Sequence, residues 1–155
     1  RGFDMRILYH NRNRDLESEA ALAVEYSEFD SLLREAHFVS LNVPLTEETE
    51  GLIGESELRL MREDSILINT ARGPVVDSAA LYTALTEGWI AGAALDVTEP
   101  EPLPRDHPLL ELTNLVLTPH TGSATLRSRL RMGEMARDNL VAGLEERPLP
   151  NQVHE

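Results

Sequence analysis

The strongest constraint on this chain is the alternation of short apolar runs with segments of helical periodicity. Consecutive apolar residues dominate the runs at 5–10, 37–42, 65–70, 90–97 and 115–118. Strands buried on both faces of a parallel sheet have this pattern, whereas half-exposed strands alternate apolar and polar residues. Apolar residues at helical spacing predict helices at 29–36, 54–61, 78–86 and 124–146. This β-α order predicts a doubly wound α/β domain with a parallel sheet.

Two of the predicted helices carry further signals. Asp77 stands directly before the helix at 78–86, where its carboxylate would cap the first turn. The last helix bears an apolar stripe, which we expect to pack into the core or against another domain. The stripe consists of Leu126, Leu130, Gly133, Ala136, Leu140 and Leu144.

Composition excludes several classes of function. A chain of 155 residues with 41% hydrophobic content is long enough for one domain with a core. A net charge of -13 disfavours a nucleic-acid partner, and the absence of cysteine excludes disulfides and thiolate sites. No apolar run approaches the roughly 18 residues of a membrane span, and the histidines show no metal-ligand spacing. We expect a cytoplasmic protein with neither metal, membrane nor nucleic acid as a partner.

Three short polar motifs each follow one of the apolar runs. They are residues 69–73 (NTARG), 96–102 (DVTEPEP) and 118–124 (TPHTGSA). Because the carboxyl ends of parallel strands meet at one edge of a sheet, four residues are expected on a common rim: Arg72, Asp96, Glu101 and His120. A guanidinium binds the carboxylate of a substrate, an imidazole transfers a proton, and a carboxylate of the protein holds the charged imidazole in place. Reduction of a 2-keto acid to a 2-hydroxy acid requires these three groups.

The motifs carry a family resemblance that covers essentially the whole chain. Residues 42–123 closely resemble the D-isomer-specific 2-hydroxyacid dehydrogenases, which have a Rossmann-like cofactor domain. Within that family, residues 96–125 look like the glyoxylate and hydroxypyruvate reductases. The resemblance implies an oxidoreductase that transfers a hydride between NAD(P)H and a small 2-keto acid.

The resemblance also implies a role for each motif residue. Arg72 matches the arginine that binds the substrate carboxylate, and His120 matches the acid/base. Glu101 matches the carboxylate that supports the histidine, and its spacing of five from Asp96 selects it over Glu99. Cofactor contacts implied in the same way are Pro44, Thr49, Thr70, Ala71, Arg72, Asp96, His120, Gly122 and Ser123.

The choice between the two nicotinamide dinucleotides is argued from the residues after the first apolar run. An acidic residue there would accept hydrogen bonds from the ribose hydroxyls and repel a 2'-phosphate. Residues 9–14 (YHNRNR) contain no acid before Asp15. A neutral Asn11 beside Arg12 and Arg14 favours binding of NADP(H), with NAD(H) as the other possible cofactor.

The resemblance also implies segments outside this sequence. The glycine-rich GxGxxG turn that holds the cofactor pyrophosphate is expected immediately upstream, with the first strand and nearly all of a substrate domain. We assign residues 1–147 to a partial dinucleotide-binding domain and 148–155 to a tail returning toward that substrate domain. The first strand would lie between the runs at 5–10 and 37–42, which predicts a gap within the sheet. We expect this chain alone to bind dinucleotide weakly and to turn over no substrate.

Three points remain open on sequence grounds. A dinucleotide-sensing corepressor of the same fold is an alternative of a different class, because a fold does not fix a function. Phosphite dehydrogenase is an alternative enzyme, whereas Glu101 disfavours the formate type, which has an uncharged amide there. Glyoxylate, hydroxypyruvate and longer 2-keto acids are not ranked. By resemblance, the full-length protein is expected to be a homodimer with residues 103–112 near the interface.

Overall fold

The computed structural model describes residues 3–152, and the chain divides into two compact units. The first unit is Arg1–Pro119 and the second is His120–Glu155. Strands of the first unit are β1 (Leu8–Tyr9), β2 (Glu25–Tyr26), β3 (Phe38–Leu41), β4 (Ile66–Asn69), β5 (Gly92–Leu95) and β6 (Leu115–Leu117). Its helices are α1 (Leu16–Leu22), α2 (Phe29–Glu35), α3 (Glu55–Leu60) and α4 (Ser78–Glu87), with short 3-10 turns at Gly73–Val75 and Pro108–Glu111. The second unit contains one long helix, α5 (Leu126–Leu144).

Every paired strand in the described residues runs parallel to its neighbour. Four strands form one sheet in the order β3-β4-β5-β6, and β1 pairs with β2 in a second sheet. Across the larger sheet, Leu41 lies beside Asn69, and Asn69 lies beside Leu95. Four parallel strands in sequence order, with helices between the first three, confirm the predicted α/β class.

The two sheets are not joined by a hydrogen-bonded strand within residues 3–152. β1 pairs only with β2, and β3 pairs only with β4. This break lies at the place where the sequence analysis expects a further central strand. β1 and β2 are each two residues long, so they contribute little to the core.

The core of the first unit lies between the larger sheet and helices α2, α3 and α4. Alternate residues of β3 and β4 point into it, including Val39, Leu41 and Leu67, each at most 5% exposed. Apolar side chains of the three helices complete this cluster, and they include Leu33, Leu58, Leu81 and Leu85. Side chains on the other face of the sheet are less covered, because Phe38 is 57% exposed and Val116 is 63% exposed.

Local signals explain where α4 begins and ends. The Asp77 carboxylate accepts hydrogen bonds from the backbone N–H groups of Ala79 and Ala80, at 2.9 and 3.0 Å. Gly88 ends the helix with a φ of 74°, a left-handed conformation that glycine adopts without a Cβ clash. The predicted Asp77 cap is therefore confirmed.

Residues 15–26 form a helix and a strand that the sequence analysis does not predict. Asp15 caps α1 by accepting a hydrogen bond from the backbone N–H of Ser18 at 2.9 Å. A two-residue strand such as β2 is too short to show a periodic pattern. An aspartate before a helix can be recognised in the sequence as a cap, whereas the pairing of β2 with β1 cannot.

The second unit is built on α5, whose N-terminus is capped by Thr125 through the backbone N–H of Ser128. The apolar stripe predicted on this helix is largely exposed, with Leu126 at 76%, Leu140 at 65% and Leu144 at 77%. The prediction that the stripe packs into the core is therefore wrong. Helical spacing identifies an apolar face but not what covers it. Packing of this face against another domain stays a prediction.

The chain turns back on α5 after the helix ends. The backbone N–H of Arg147 donates to the carbonyl of Ala142 at 2.8 Å, and the N–H of Asn151 donates to the Asn139 side chain at 3.0 Å. Division of the chain at residues 147 and 148 stays a prediction. In the described part of the chain, no helix has both the length and the apolar character needed to cross a bilayer.

Candidate functional site

Asn69 organises the loop that carries Arg72. It ends β4, and its side chain is enclosed with 1% of the residue exposed. Its Oδ1 accepts a hydrogen bond from the backbone N–H of Ala71 at 3.0 Å, and its Nδ2 donates to the carbonyl of Arg72 at 2.9 Å. Both polar ends of one amide therefore hold the turn of residues 69–72 in a fixed shape.

Within this turn, the predicted site residues have different environments. Thr70 and Arg72 are exposed, whereas Ala71 is 8% exposed. The N–H of Ala71 is bonded to Asn69, and its carbonyl accepts a hydrogen bond from Nη1 of Arg72 at 2.6 Å. The arginine thus leaves a rigid turn at the carboxyl end of a central strand, where a parallel sheet places its ligands.

The second motif contacts the first through Gly73. A Cβ built on Gly73 would lie 2.0 Å from the carbonyl oxygen of Thr98 and 2.8 Å from the backbone nitrogen of Glu99. Only glycine permits these two segments to approach so closely. The hydroxyl of Thr98 donates to the carbonyl of Pro100 at 2.9 Å, which shapes the chain that leads to Glu101.

Asp96 joins the ends of three neighbouring strands. Its backbone N–H donates to the carbonyl of Asn69 at 2.9 Å, beyond the end of β5. Its carboxylate accepts a hydrogen bond of 2.5 Å from the hydroxyl of Thr118, which follows β6. Asp96 and Arg72 are therefore held at the same edge of the sheet through Asn69. Glu101 is exposed in the loop that begins at Asp96.

Pro44 and Thr49 lie in one loop after β3. The hydroxyl of Thr49 donates to the carbonyl of Pro44 at 2.6 Å and accepts a hydrogen bond from the N–H of Thr46 at 2.8 Å. The structure therefore brings these two predicted contacts together. The Thr49 side chain therefore closes its own loop.

The loop after β1 separates the two arginines that the sequence analysis treats alike. Arg14 forms an ion pair with Glu19 at 2.6 Å, and its guanidinium lies 5.5 Å from the ring centre of Tyr26. Arg12 forms no ion pair within residues 3–152, and the Asn11 side chain accepts a hydrogen bond from its backbone N–H at 3.0 Å. The charge of Arg12 also acts on Glu48, whose pKa is lowered chiefly by a hydrogen bond from the Thr46 side chain and to a smaller extent by Arg12.

Glu19 is the anchor of that loop, and the sequence analysis gave it no role. Its side chain is 14% exposed and accepts hydrogen bonds from Arg14 at 2.6 Å and from the hydroxyl of Tyr9 at 2.6 Å. The hydrogen bond from Arg14 lowers the pKa of Glu19 most, and the bond from Tyr9 adds to this effect, so that the pKa is about 2. The Tyr9 hydroxyl also accepts the N–H of Asp15 at 3.0 Å, so the network spans the whole loop.

His120, Gly122 and Ser123 belong to the second unit, and all three are exposed. His120 has a φ of 52°, a left-handed conformation that histidine adopts more often than most residues other than glycine and that Asp4, Ala23 and Glu146 also adopt. The N–H of Ala124 donates to the carbonyl of Thr121 at 2.9 Å, which turns the chain toward α5. Joint action of His120 with Arg72 and Glu101 stays a prediction.

Similarity to known proteins agrees with this geometry. A family model described as the NAD binding domain of D-isomer specific 2-hydroxyacid dehydrogenases matches residues 1–122. A protein of Aeropyrum pernix called glyoxylate reductase is 53% identical over 154 residues, which cover 99% of this chain and 46% of that protein. The chain thus spans about half the length of the curated relatives it matches.

Two solved structures show the same fold. The TT0316 protein from Thermus thermophilus has a TM-score of 0.92 and 48% identity, over 99% of this chain and 47% of that one. The NAD-complexed D-isomer specific 2-hydroxyacid dehydrogenase from Lactobacillus delbrueckii ssp. bulgaricus has a TM-score of 0.87 and 31% identity, over 99% of this chain and 50% of that one. Together with the family match over well more than half of its residues, this similarity establishes that the chain belongs to the D-isomer specific 2-hydroxyacid dehydrogenase family.

Proposed function

We propose that the protein carrying this chain reduces a small 2-keto acid, glyoxylate or hydroxypyruvate, with a nicotinamide dinucleotide. The proposal rests on the hydrogen bonds of Asn69, which hold Arg72 and Asp96 at one edge of a parallel sheet. Membership of a family defined by an NAD-binding domain supports the cofactor class. Sequence identity of 53% with a glyoxylate reductase supports a short 2-keto acid as the substrate.

The residues on this edge suit a dinucleotide by their chemistry. Thr70 and Arg72 are exposed beside the buried end of β4, and the Pro44–Thr49 loop presents backbone groups after β3. We assign Pro44, Thr49, Thr70, Ala71, Arg72, Asp96, His120, Gly122 and Ser123 to cofactor binding. When bound, the reduced nicotinamide supplies the hydride.

Arg72 is proposed to orient the substrate. A planar guanidinium donates two parallel hydrogen bonds to a carboxylate, which fixes the direction of the adjoining keto group. Because its backbone carbonyl is held by Asn69 at 2.9 Å, Arg72 starts from a defined position. Fixing a substrate in this way lowers the barrier by removing rotational freedom before the reaction.

His120 is proposed to donate the proton. As the keto carbon is reduced, negative charge develops on its oxygen, and a protonated imidazole neutralises it by transferring a proton. Glu101 is proposed to orient that imidazole and to favour its charged form.

NADP(H) is the proposed preferred cofactor. Arg12 follows a neutral Asn11 and forms no ion pair in the described part of the chain, which supports a contact between its charge and a 2'-phosphate. Asn11 would not repel that phosphate, whereas an aspartate would. Homodimerisation of the full-length protein, with residues 103–112 near the interface, is proposed by resemblance alone.

Steady-state kinetics of the full-length protein test the proposal. Rates are measured with NADPH and NADH, each against glyoxylate and hydroxypyruvate. We expect turnover of at least one 2-keto acid and a higher kcat/KM with NADPH than with NADH. Absence of turnover with every pair would overturn the reductase, and saturable partner binding without turnover would favour the regulatory alternative. Equal or better efficiency with NADH would overturn only the cofactor preference.

A further inference from the structure

Two buried polar side chains lie at opposite ends of the same central strand. Asn69, at the carboxyl end of β4, is 1% exposed, and Ser65, directly before β4, is fully buried. Each bonds to nearby backbone: Asn69 to Ala71 and Arg72, and Ser65 to the carbonyl of Arg62 at 2.7 Å. Sequence patterns assign a role to Arg72 in this motif and none to Asn69.

We propose that Asn69 is a positioning residue that sets the affinity for the substrate carboxylate by fixing the backbone from which Arg72 projects. The inference rests on the proposed function, because it assumes that Arg72 binds that carboxylate. Asn69 itself does not reach the exposed surface, so it acts through the turn it holds.

The bonds of Asn69 explain why a buried amide is suited to this place. An amide presents an acceptor and a donor on one rigid group, and here the acceptor takes the N–H of Ala71 while the donor holds the carbonyl of Arg72. A buried backbone group that loses such a partner is left unsatisfied, so the turn would shift to find another. Any shift would move the guanidinium away from the carboxylate.

Asn69 also couples the Arg72 turn to the neighbouring motif. Its backbone carbonyl accepts the N–H of Asp96 at 2.9 Å, and Asp96 accepts the hydroxyl of Thr118. This main-chain bond does not depend on the side chain at position 69. Substitution of the side chain is therefore expected to disturb the Arg72 turn while the link to Asp96 remains.

Asn69→Asp is the sharpest substitution. Aspartate has nearly the same shape and still accepts the N–H of Ala71, but in its ionised form it cannot donate to the Arg72 carbonyl and repels it. Because burial raises the pKa of a carboxyl, the variant is assayed at a pH above which its kcat/KM no longer changes. We expect kcat/KM for glyoxylate to fall by about tenfold to a hundredfold, since a misplacement of about 1 Å can have such an effect. The dissociation constant of NADPH is measured as well, and it should change less than kcat/KM, because the N–H of Ala71 keeps its acceptor in this variant. Ser65→Ala, the matched control, removes a buried side-chain bond at the other end of β4 and should leave both quantities nearly unchanged.

A double-mutant cycle separates positioning from general destabilisation. In an Arg72→Ala background the guanidinium is absent, so Asn69→Asp should cause little further loss of kcat/KM. Equal losses in the two backgrounds, an unchanged kcat/KM in Asn69→Asp, or an equal effect of Ser65→Ala would overturn the inference. If Asn69→Asp does not fold, Asn69→Ser carries the same cycle without introducing a charge.

The measurements use the full-length protein with the wild type assayed first. A wild type without 2-keto acid turnover refutes the proposed function, and the positioning role falls with it. A wild type that turns over glyoxylate, together with an Asn69→Asp variant of equal efficiency, refutes only the role of Asn69.

Discussion

The backbone of Gly73 approaches the carbonyl oxygen of Thr98 so closely that a Cβ on residue 73 would lie 2.0 Å from it. This contact joins the turn that carries Arg72 to the loop that carries Glu101. Both segments are main chain at the contact, so no side-chain rotation relieves an added methyl group. The relative position of two proposed site residues therefore depends on the absence of a side chain at position 73.

Gly73→Ala should destabilise the protein and lower its activity together. Forcing an atom into a filled space typically costs about 1–3 kcal/mol, and here the loop of residues 96–101 must move. Urea unfolding measures the free energy of unfolding, and steady-state kinetics measure kcat/KM. Gly133→Ala is the control, because a Cβ there meets no atom within 4 Å and should be neutral or stabilising. A Gly73→Ala variant as stable as the wild type would contradict the close contact.

Arg72→Lys should weaken substrate binding although it preserves the charge. Lysine cannot form two parallel hydrogen bonds with a carboxylate, and loss of one charge-assisted bond of about 1.5–3 kcal/mol corresponds to roughly a tenfold to hundredfold fall in kcat/KM. The KM for glyoxylate is expected to rise. Arg59→Lys, a surface change over the Trp89 ring, serves as the control. Full activity in Arg72→Lys would argue against a two-bond contact.

Arg12 and Arg14 should differ in their effects on cofactor choice. Arg14 is bound to Glu19 at 2.6 and 2.8 Å, whereas Arg12 forms no ion pair within residues 3–152. We expect Arg12→Gln to lower the ratio of kcat/KM for NADPH to that for NADH by about tenfold or more. The comparison variant combines Arg14→Gln with Glu19→Gln, so that the net charge of the loop stays the same. This variant should change the ratio less. A larger effect of the paired change would assign the phosphate contact to Arg14.

Glu19 should stabilise the loop of residues 9–19 in a pH-dependent manner. Its pKa is lowered to about 2 in the folded protein, chiefly by Arg14, from an ordinary value of about 4.3 in the unfolded chain. The ionised form therefore stabilises the fold above the unfolded pKa, and this contribution is lost as the pH falls toward 2.

Thermal unfolding of wild type and Glu19→Gln across pH 2–7 checks this dependence. Wild type should have the higher Tm near neutral pH, and the two curves should converge at the acidic end. Glu55→Gln, which removes an exposed i,i+4 pair with Arg59, is the control and should show a smaller difference. Parallel curves with a constant difference would show that the charge of Glu19 has no part in its effect.

Sequence patterns predicted the parallel strands because runs such as 65–70 are apolar at consecutive positions, as buried strands are. The Asp77 cap was also predicted, since it depends on residues adjacent in sequence. The closeness of Gly73 to Thr98 was not predicted, because it joins segments 25 positions apart that only the folded sheet brings together. The different states of Arg12 and Arg14 were missed for a similar reason: Glu19 lies one helical turn into α1, which the sequence analysis did not predict.

The central claim is that this chain supplies the proton donor and the carboxylate-binding arginine of a 2-keto acid reductase. Single-turnover kinetics of the His120→Asn variant test this claim most directly. Asparagine tolerates the left-handed backbone at φ 52°, so the variant removes the imidazole with little strain. Full-length protein saturated with NADPH is mixed with glyoxylate, and oxidation of the cofactor is followed. We predict a rate about 10²–10⁴-fold below that of the wild type. A rate within a few-fold of the wild type would contradict the account.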